Sequence, residues 1–190
     1  LVRTGGGKTE SLHLMNGTEL SCGDKSLTMP RDSLDAEIVS VDEKARTITI
    51  DATKDDLVSR VALIRTKGSP RRGAYTITAQ KSAGGQTVLS LQSLDFVLAR
   101  GVLETDPKAN AIVSRIPVPF AYTIGEPTRY FDGAPIRNTR TGKIARVKCF
   151  TDMKNLEIDD PSGWKAGDGF EILDFVPGDK VTIPLSGQSE

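Results

Sequence analysis

Histidine occurs once in the 190 residues, cysteine twice and tryptophan once. Each scarcity narrows what the chain can do. Metal centres usually gather several His or Cys ligands, and His13, Cys22 and Cys149 are too few and too scattered for such a set. No metal and no cofactor is expected. A Ser or Cys nucleophile needs an imidazole with an orienting carboxylate, and no Gly-x-Ser-x-Gly element accompanies His13. No catalytic residue is assigned. Charge of neither sign is in excess: 25 Lys+Arg face 25 Asp+Glu, and the pI is near 6.8. That balance excludes a general binder of the nucleic-acid backbone, which needs a basic surplus to displace counterions. No apolar run approaches the roughly 18 residues of a membrane-spanning helix.

What is abundant points to strands. Thr, Val and Ile together number 44, and β-branched residues fit a pleated, half-buried surface. Alternation with period two recurs in short runs between polar, Gly or Pro clusters. In Ile38-Val39-Ser40-Val41, Val39 and Val41 are expected on one face. After the turn at 42–45, Ile48 and Ile50 share a face of the returning strand. Further strands are predicted at Val61–Arg65, Ala74–Ala79, Val88–Leu91, Phe96–Leu103, Ile112–Ile116, Ile144–Phe150, Leu156–Ile158, Phe170–Leu173 and Lys180–Ile183. The fold class is therefore all-β: an antiparallel β-sandwich or barrel of about ten to twelve short strands with little helix. One or two helical turns are expected over Asp51–Arg60, and one over Arg31–Ala36. Residues 1–30 would supply N-terminal strands completing an upstream sheet, with the main domain over 31–190. The sequence starts at Leu1 without an initiator Met, the start expected of a processed chain or a piece of a longer one.

Ala36…Asp42…Ile50-Asp51 is echoed by Ala145…Asp152…Ile158-Asp159. Duplication would produce this, and so would turn chemistry shared by unrelated hairpins.

Several motifs suggest chemistry and are better read as turns. Gly5-Gly6-Gly7-Lys8-Thr9 lacks the leading Gly of a phosphate loop, because Val2 stands there. Asp55-Asp56 and Asp159-Asp160 lack the alternating oxygen ligands that calcium prefers. Arg71-Arg72, with Arg65 and Lys67, lies among Gly68, Pro70 and Gly73 and reads as a solvated hairpin tip. Asn16-Gly17-Thr18 is a glycosylation sequon only in a eukaryotic secretory setting. Cys22 and Cys149 allow one disulfide in an oxidising compartment. The densest aromatic region runs from Phe120-Ala121-Tyr122 to Arg129-Tyr130-Phe131-Asp132-Gly133, followed by Arg137. Aromatic faces beside Arg and Asp suit sugar rings and anionic groups. Trp164, in a turn-rich loop, offers a second platform.

Three segments resemble a known family. Leu1-Val2-Arg3-Thr4-Gly5-Gly6 with Leu12-His13 is similar to the F-R-x-x-G-G and L-H-G elements of heparinase II/III-like polysaccharide lyases. Trp164–Ile183 resembles their G-D-x-F-x-I-x-D-F-x-P-G-D ending, and Arg129–Gly133 is similar to an aromatic-Asp-Gly element before it. Such lyases carry out β-elimination on uronic acids with Tyr and His residues of a helical toroid, followed by β-sandwich layers. The resemblance implies that this chain is the C-terminal β region, without the catalytic apparatus, of a secreted or periplasmic bacterial protein. Its partner would be a polysaccharide, acidic ones included, or the catalytic domain of the parent chain. The carbohydrate contacts would be Trp164, Tyr130, Arg129, Asp132 and Arg137. The competing expectation is a structural or assembly β-domain of a surface or virion-associated protein, with no small ligand.

Overall fold

The computed structural model describes residues 2–5, 8–11, 19–22, 25–28, 32–123 and 125–185. Among them the fold is all-β, with no α-helix. The Gly6-Gly7 pair, His13 and Asn16 lie outside the described residues, as does the side chain of Cys22.

Two short hairpins come first: β1 (Val2–Gly5) with β2 (Lys8–Ser11), and β3 (Glu19–Cys22) with β4 (Lys25–Thr28). Then β5 (Ser33–Asp42), β6 (Thr47–Ile50), β7 (Val61–Arg65), β8 (Arg72–Ala83) and β9 (Gln86–Leu91) build most of a first barrel. The chain next lays down β10 (Val97–Val102), β11 (Ala111–Val113) and a small hairpin of β12 (Tyr122–Thr123) and β13 (Glu126–Pro127). It continues through β14 (Pro135–Asn138), β15 (Ile144–Phe150), β16 (Asn155–Ile158) and β17 (Gly169–Leu173). Finally β18 (Lys180–Pro184) returns to close the first barrel between β5 and β7.

The first barrel has the order β18-β5-β6-β9-β8-β7, and the second sheet β14-β15-β16-β11 on one side and β17-β10 on the other. The two free edges of that second sheet meet. Leu103 bridges Ser114, Glu104 N donates to Val113 O at 2.8 Å, and Arg115 N donates to Val102 O at 2.7 Å. Both units thus share one strand order, with β14, β15, β16, β17, β10 and β11 standing for β18, β5, β6, β7, β8 and β9. The echo in the sequence falls on equivalent hairpins, β5–β6 and β15–β16. Each has its register shift at the same place, after Ile38 in one and after Val147 in the other. Ala36, Ile38, Ile48 and Ile50 fill the first core where Ala145, Val147, Leu156 and Ile158 fill the second.

The bulge also resets the predicted phase of β5. Ile38 points inward at 1% exposure while Val39 is 44% exposed, so Val39 and Val41 do not share a face as the alternation implied. The helical turns expected at 51–60 and 31–36 are not seen over the described residues 51–60 and 32–36. Ser33–Ala36 is already strand, and 51–60 is a barrel-end loop that drops Leu57 into the core and passes through positive φ at Asp56 and Ser59. The matching loop in the second unit buries Trp164 and uses Gly167, φ +83°, where the first uses Ser59, φ +69°. Strand β14 was not legible because a Pro opens it and Arg137 and Asn138 close it.

The crossover 174–179 joins the barrels. Phe175 enters the first core beside Phe96, with ring centroids 4.8 Å apart, and Tyr75 packs edge-on to both. The buried Asp179 carboxylate accepts from Thr66 Oγ1 at 2.8 Å and Val176 N at 2.9 Å. Gly133, φ +73°, abuts the Gly68 carbonyl so closely that a Cβ would overlap it. The residues that carry the resemblance at 130–133 and 164–183 are therefore largely joints and core of the fold.

Candidate functional site

A cleft of about 570 Å³ opens between the two barrels. Pro70 and Arg71, just before β8, form one wall. Phe120, Tyr122, Thr128, Arg129 and Tyr130 form the other. The sequence builds the second wall by alternating anchors and projections. Val118, Ala121 and Phe131 are buried, whereas the intervening Phe120 and Tyr130 are 73% and 42% exposed. Pro117 and Pro119 keep the chain out of the sheet ladder, and Phe120 adopts φ +61°, a conformation uncommon for an aromatic residue. Backbone bonds Ala121 N to Val118 O (3.2 Å) and Thr128 N to Ala121 O (2.9 Å) hold this shape, with the Thr128 hydroxyl donating to Phe120 O. The Phe120 and Tyr130 rings stand 6.2 Å apart, and Phe131 supports Tyr130 edge-on at 5.0 Å. Paired aromatic rings lining a cleft can floor a site that takes a flat, partly apolar ligand.

The cations around the cleft differ in freedom. Arg71 is held: Nη1 donates to the Tyr130 hydroxyl at 3.2 Å, the guanidinium lies 5.3 Å from the Tyr130 ring centre, and Nη2 pairs with Asp174. Its side chain is only 16% exposed, which corrects the solvated-tip expectation for Arg71, while Arg72 is exposed as that expectation had it. Asp174 also accepts from the Tyr75 hydroxyl, and burial pushes the Tyr75 phenol up to about 12. Arg129 pairs with Asp132 at 2.9 Å but keeps 88% of its side chain in solvent.

Past Pro70 and Arg129, which belong to both, the cleft runs into a second groove of about 870 Å³. Arg65, Lys67 and Lys180 line it, facing Glu37, Asp132 and Asp179. Lys180 is bound to Glu37 at 2.8 Å, and Asp179 lies 3.9 Å from Arg146. Arg65 and Lys67 are exposed, and among the described residues no ion pair holds either. The arrangement offers a stacking floor continuous with a stretch of uncommitted positive charge.

Of the residues singled out in the sequence, Tyr130, Arg129 and Asp132 come together in the turn before β14. The other two stand elsewhere. Trp164 is 4% exposed and packed in the second core with Leu156 and Phe170, away from the cleft, so its ring is core and not an open stacking platform. Its loop is the counterpart of the one that buries Leu57, and a large ring there closes the barrel end. Arg137 is bound to Glu43 through Nη1 at 2.5 Å and Nη2 at 2.8 Å, and to Glu171 through Nη2 at 2.5 Å. The Glu43 bonds hold it strongly protonated, and it serves as a clasp between the barrels rather than as a contact. Phe120, Tyr122 and Arg71 belong to the aromatic and basic clusters of the sequence, which holds no signal that sets them apart as contacts. Only the fold shows that Arg71 meets the segment 120–130. The paired acids behave as turn residues: Asp159 Oδ1 accepts Arg146 N at 2.7 Å, and Asp160 Oδ2 accepts Lys143 Nζ at 2.7 Å.

No family model matches the chain, and no match was found among curated proteins or solved structures.

Proposed function

We propose that this chain is a non-catalytic β-module that contacts a polysaccharide, acidic ones included, through the cleft between its barrels. On this reading it is the C-terminal region of a heparinase II/III-like lyase, secreted or periplasmic, whose chemistry resides in another domain. The observation that carries the proposal is the pair of solvent-exposed rings, Phe120 and Tyr130, set beside Arg71 and Arg129 and continuous with the groove of Arg65 and Lys67. A sugar ring stacks on the aromatic pair through its C–H face, and its carboxylate or sulfate substituents meet the guanidiniums. An array of neutral, uronate-containing and sulfated oligosaccharides tests this. Retention of at least one class is the expected result, and an array with no retained glycan contradicts it. In the same samples no unsaturated uronate should accumulate, since its appearance would make the chain itself a lyase.

A structural or assembly role is favoured by the same exposed ring of Phe120 together with Ile116, 58% exposed on the same loop, which a protein surface would cover as well. Light scattering after size exclusion separates the two, because the glycan reading needs no self-association.

A further inference from the structure

We propose that Asp174 is the positioning residue of this cleft, fixing Arg71 and, through Arg71, the ring of Tyr130. The inference rests on the cleft being the contact surface, and its physical chain is independent of which glycan binds.

Asp174 sits at the start of the crossover, 8% exposed, and its backbone is held at both ends. Its N donates to Phe96 O at 2.9 Å, and its carbonyl lies 2.9 Å from Thr66 Oγ1, sharing that hydroxyl's proton with Asp179. The carboxylate is equally confined. Oδ1 pairs with Arg71, Oδ2 accepts the Tyr75 hydroxyl, and a Cβ on Gly73 would come within 2.9 Å of Oδ2, so that side is already filled. A buried carboxylate with two partners and no space to swing defines where the Arg71 guanidinium lies.

Arg71 in turn touches Tyr130 twice, at the hydroxyl and over the ring. One contact sets the ring's reach and the other its tilt. Tyr130 belongs to the second barrel and Arg71 to the first, so the stacking floor is held across the boundary by a residue of the segment that sews the barrels together. Without that hold, a 42% exposed tyrosine would have to be ordered by the ligand itself, and affinity would fall by roughly tenfold.

The test compares wild type, Asp174→Asn, Arg71→Met and the double variant, titrated with a glucuronate-containing tetrasaccharide and with a neutral tetrasaccharide. Alongside, NMR of tyrosine-ring carbons is recorded without ligand. Asn keeps the shape and an acceptor for Tyr75 while removing the charge. Each single variant is expected to weaken binding about tenfold, the double variant no further than the worse single one, and the Tyr130 ring signals to average in all three. Additive losses overturn the proposal. So does an Asp174→Asn protein whose melting temperature falls while Tyr130 signals and affinity stay as in wild type. If neither sugar binds wild type, the glycan reading fails for these probes, and the ring signals alone still decide: averaging in both single variants supports the positioning role, and unchanged signals refute it.

Discussion

Asp51 and Asp159 perform the same task in different barrels. Asp51 Oδ1 accepts Glu37 N at 2.6 Å and Asp159 Oδ1 accepts Arg146 N at 2.7 Å, while each aspartate's own N donates back to the same partner residue's carbonyl. Both pairs lie just before the bulge of their hairpin and hold strand ends whose ladder is interrupted there. Because the acids are exposed, replacing either by Ala is expected to cost only about 0.5–1.5 kcal/mol in chemical denaturation. The two costs should agree within their error, and hydrogen exchange should quicken only in the barrel that carries the change. Unequal costs, or exchange spreading to both barrels, would show that the equivalence is geometric and not energetic.

Acid should loosen the second sheet through Glu171. Burial pushes that carboxyl up, but the Arg137 and Arg100 guanidiniums outweigh it and hold the group below its ordinary value of 4.5. A depressed folded-state pKa gives stability that is complete above the unfolded value and lost as pH falls through the folded one. Wild-type stability is therefore expected to decline below about pH 4.5, and Glu171→Gln to flatten that part of the profile. At neutral pH the same variant should be less stable by about 1–3 kcal/mol. Denaturation midpoints across pH 2–7 measure both, at roughly half-unit intervals.

At the alkaline end Tyr75 gives the opposite sign. Its phenol is raised from 10.0 to about 12, so the folded state keeps a proton that the unfolded chain releases. Stability is expected to fall as pH rises from 10 to 12, and the phenolate absorbance of this residue to develop only near the upper limit. Tyr75→Phe should remove that late step. A protein with no late-titrating tyrosine would contradict the burial of this phenol.

Trp164 should behave as a core residue. Its fluorescence is expected to be blue-shifted, shielded from soluble quenchers and unchanged by any bound sugar. Trp164→Ala should cost about 3–5 kcal/mol. Trp164→Phe, if folded, should bind glycan as wild type does.

Strand positions were largely legible because period-two alternation survives wherever one face is buried, as in Ile48 and Ile50 or Leu156 and Ile158. The bulge at Ile38 was not legible, since one inserted residue leaves composition unchanged while reversing the phase of Val39. Trp164 was misread for a related reason: a turn-rich loop looks solvated until its counterpart around Leu57 shows that it plugs a barrel end. For the cleft, the sequence brought Arg129, Tyr130 and Asp132 together because they are neighbours in one turn. It did not join them to Arg71 or Arg65, which lie more than fifty residues upstream and meet them only where the loop before β8 abuts the second barrel, as at Gly68 and Gly133. Arg137 illustrates the converse, a residue next to an aromatic run whose partners, Glu43 and Glu171, are distant in sequence and consume its charge.

On the proposed reading, the exposed rings at the inter-barrel cleft bind sugar. Calorimetric titration of wild type and of Phe120→Ala/Tyr130→Ala with the glycan class retained on the array tests it most directly. Stacking of nucleic-acid bases on exposed aromatics is worth about 1–3 kcal/mol per base; with a comparable contribution from a sugar face, the double variant is expected to lose at least tenfold in affinity. Its melting temperature should stay close to that of wild type, because neither ring is buried. A double variant that binds as tightly as wild type would contradict the account.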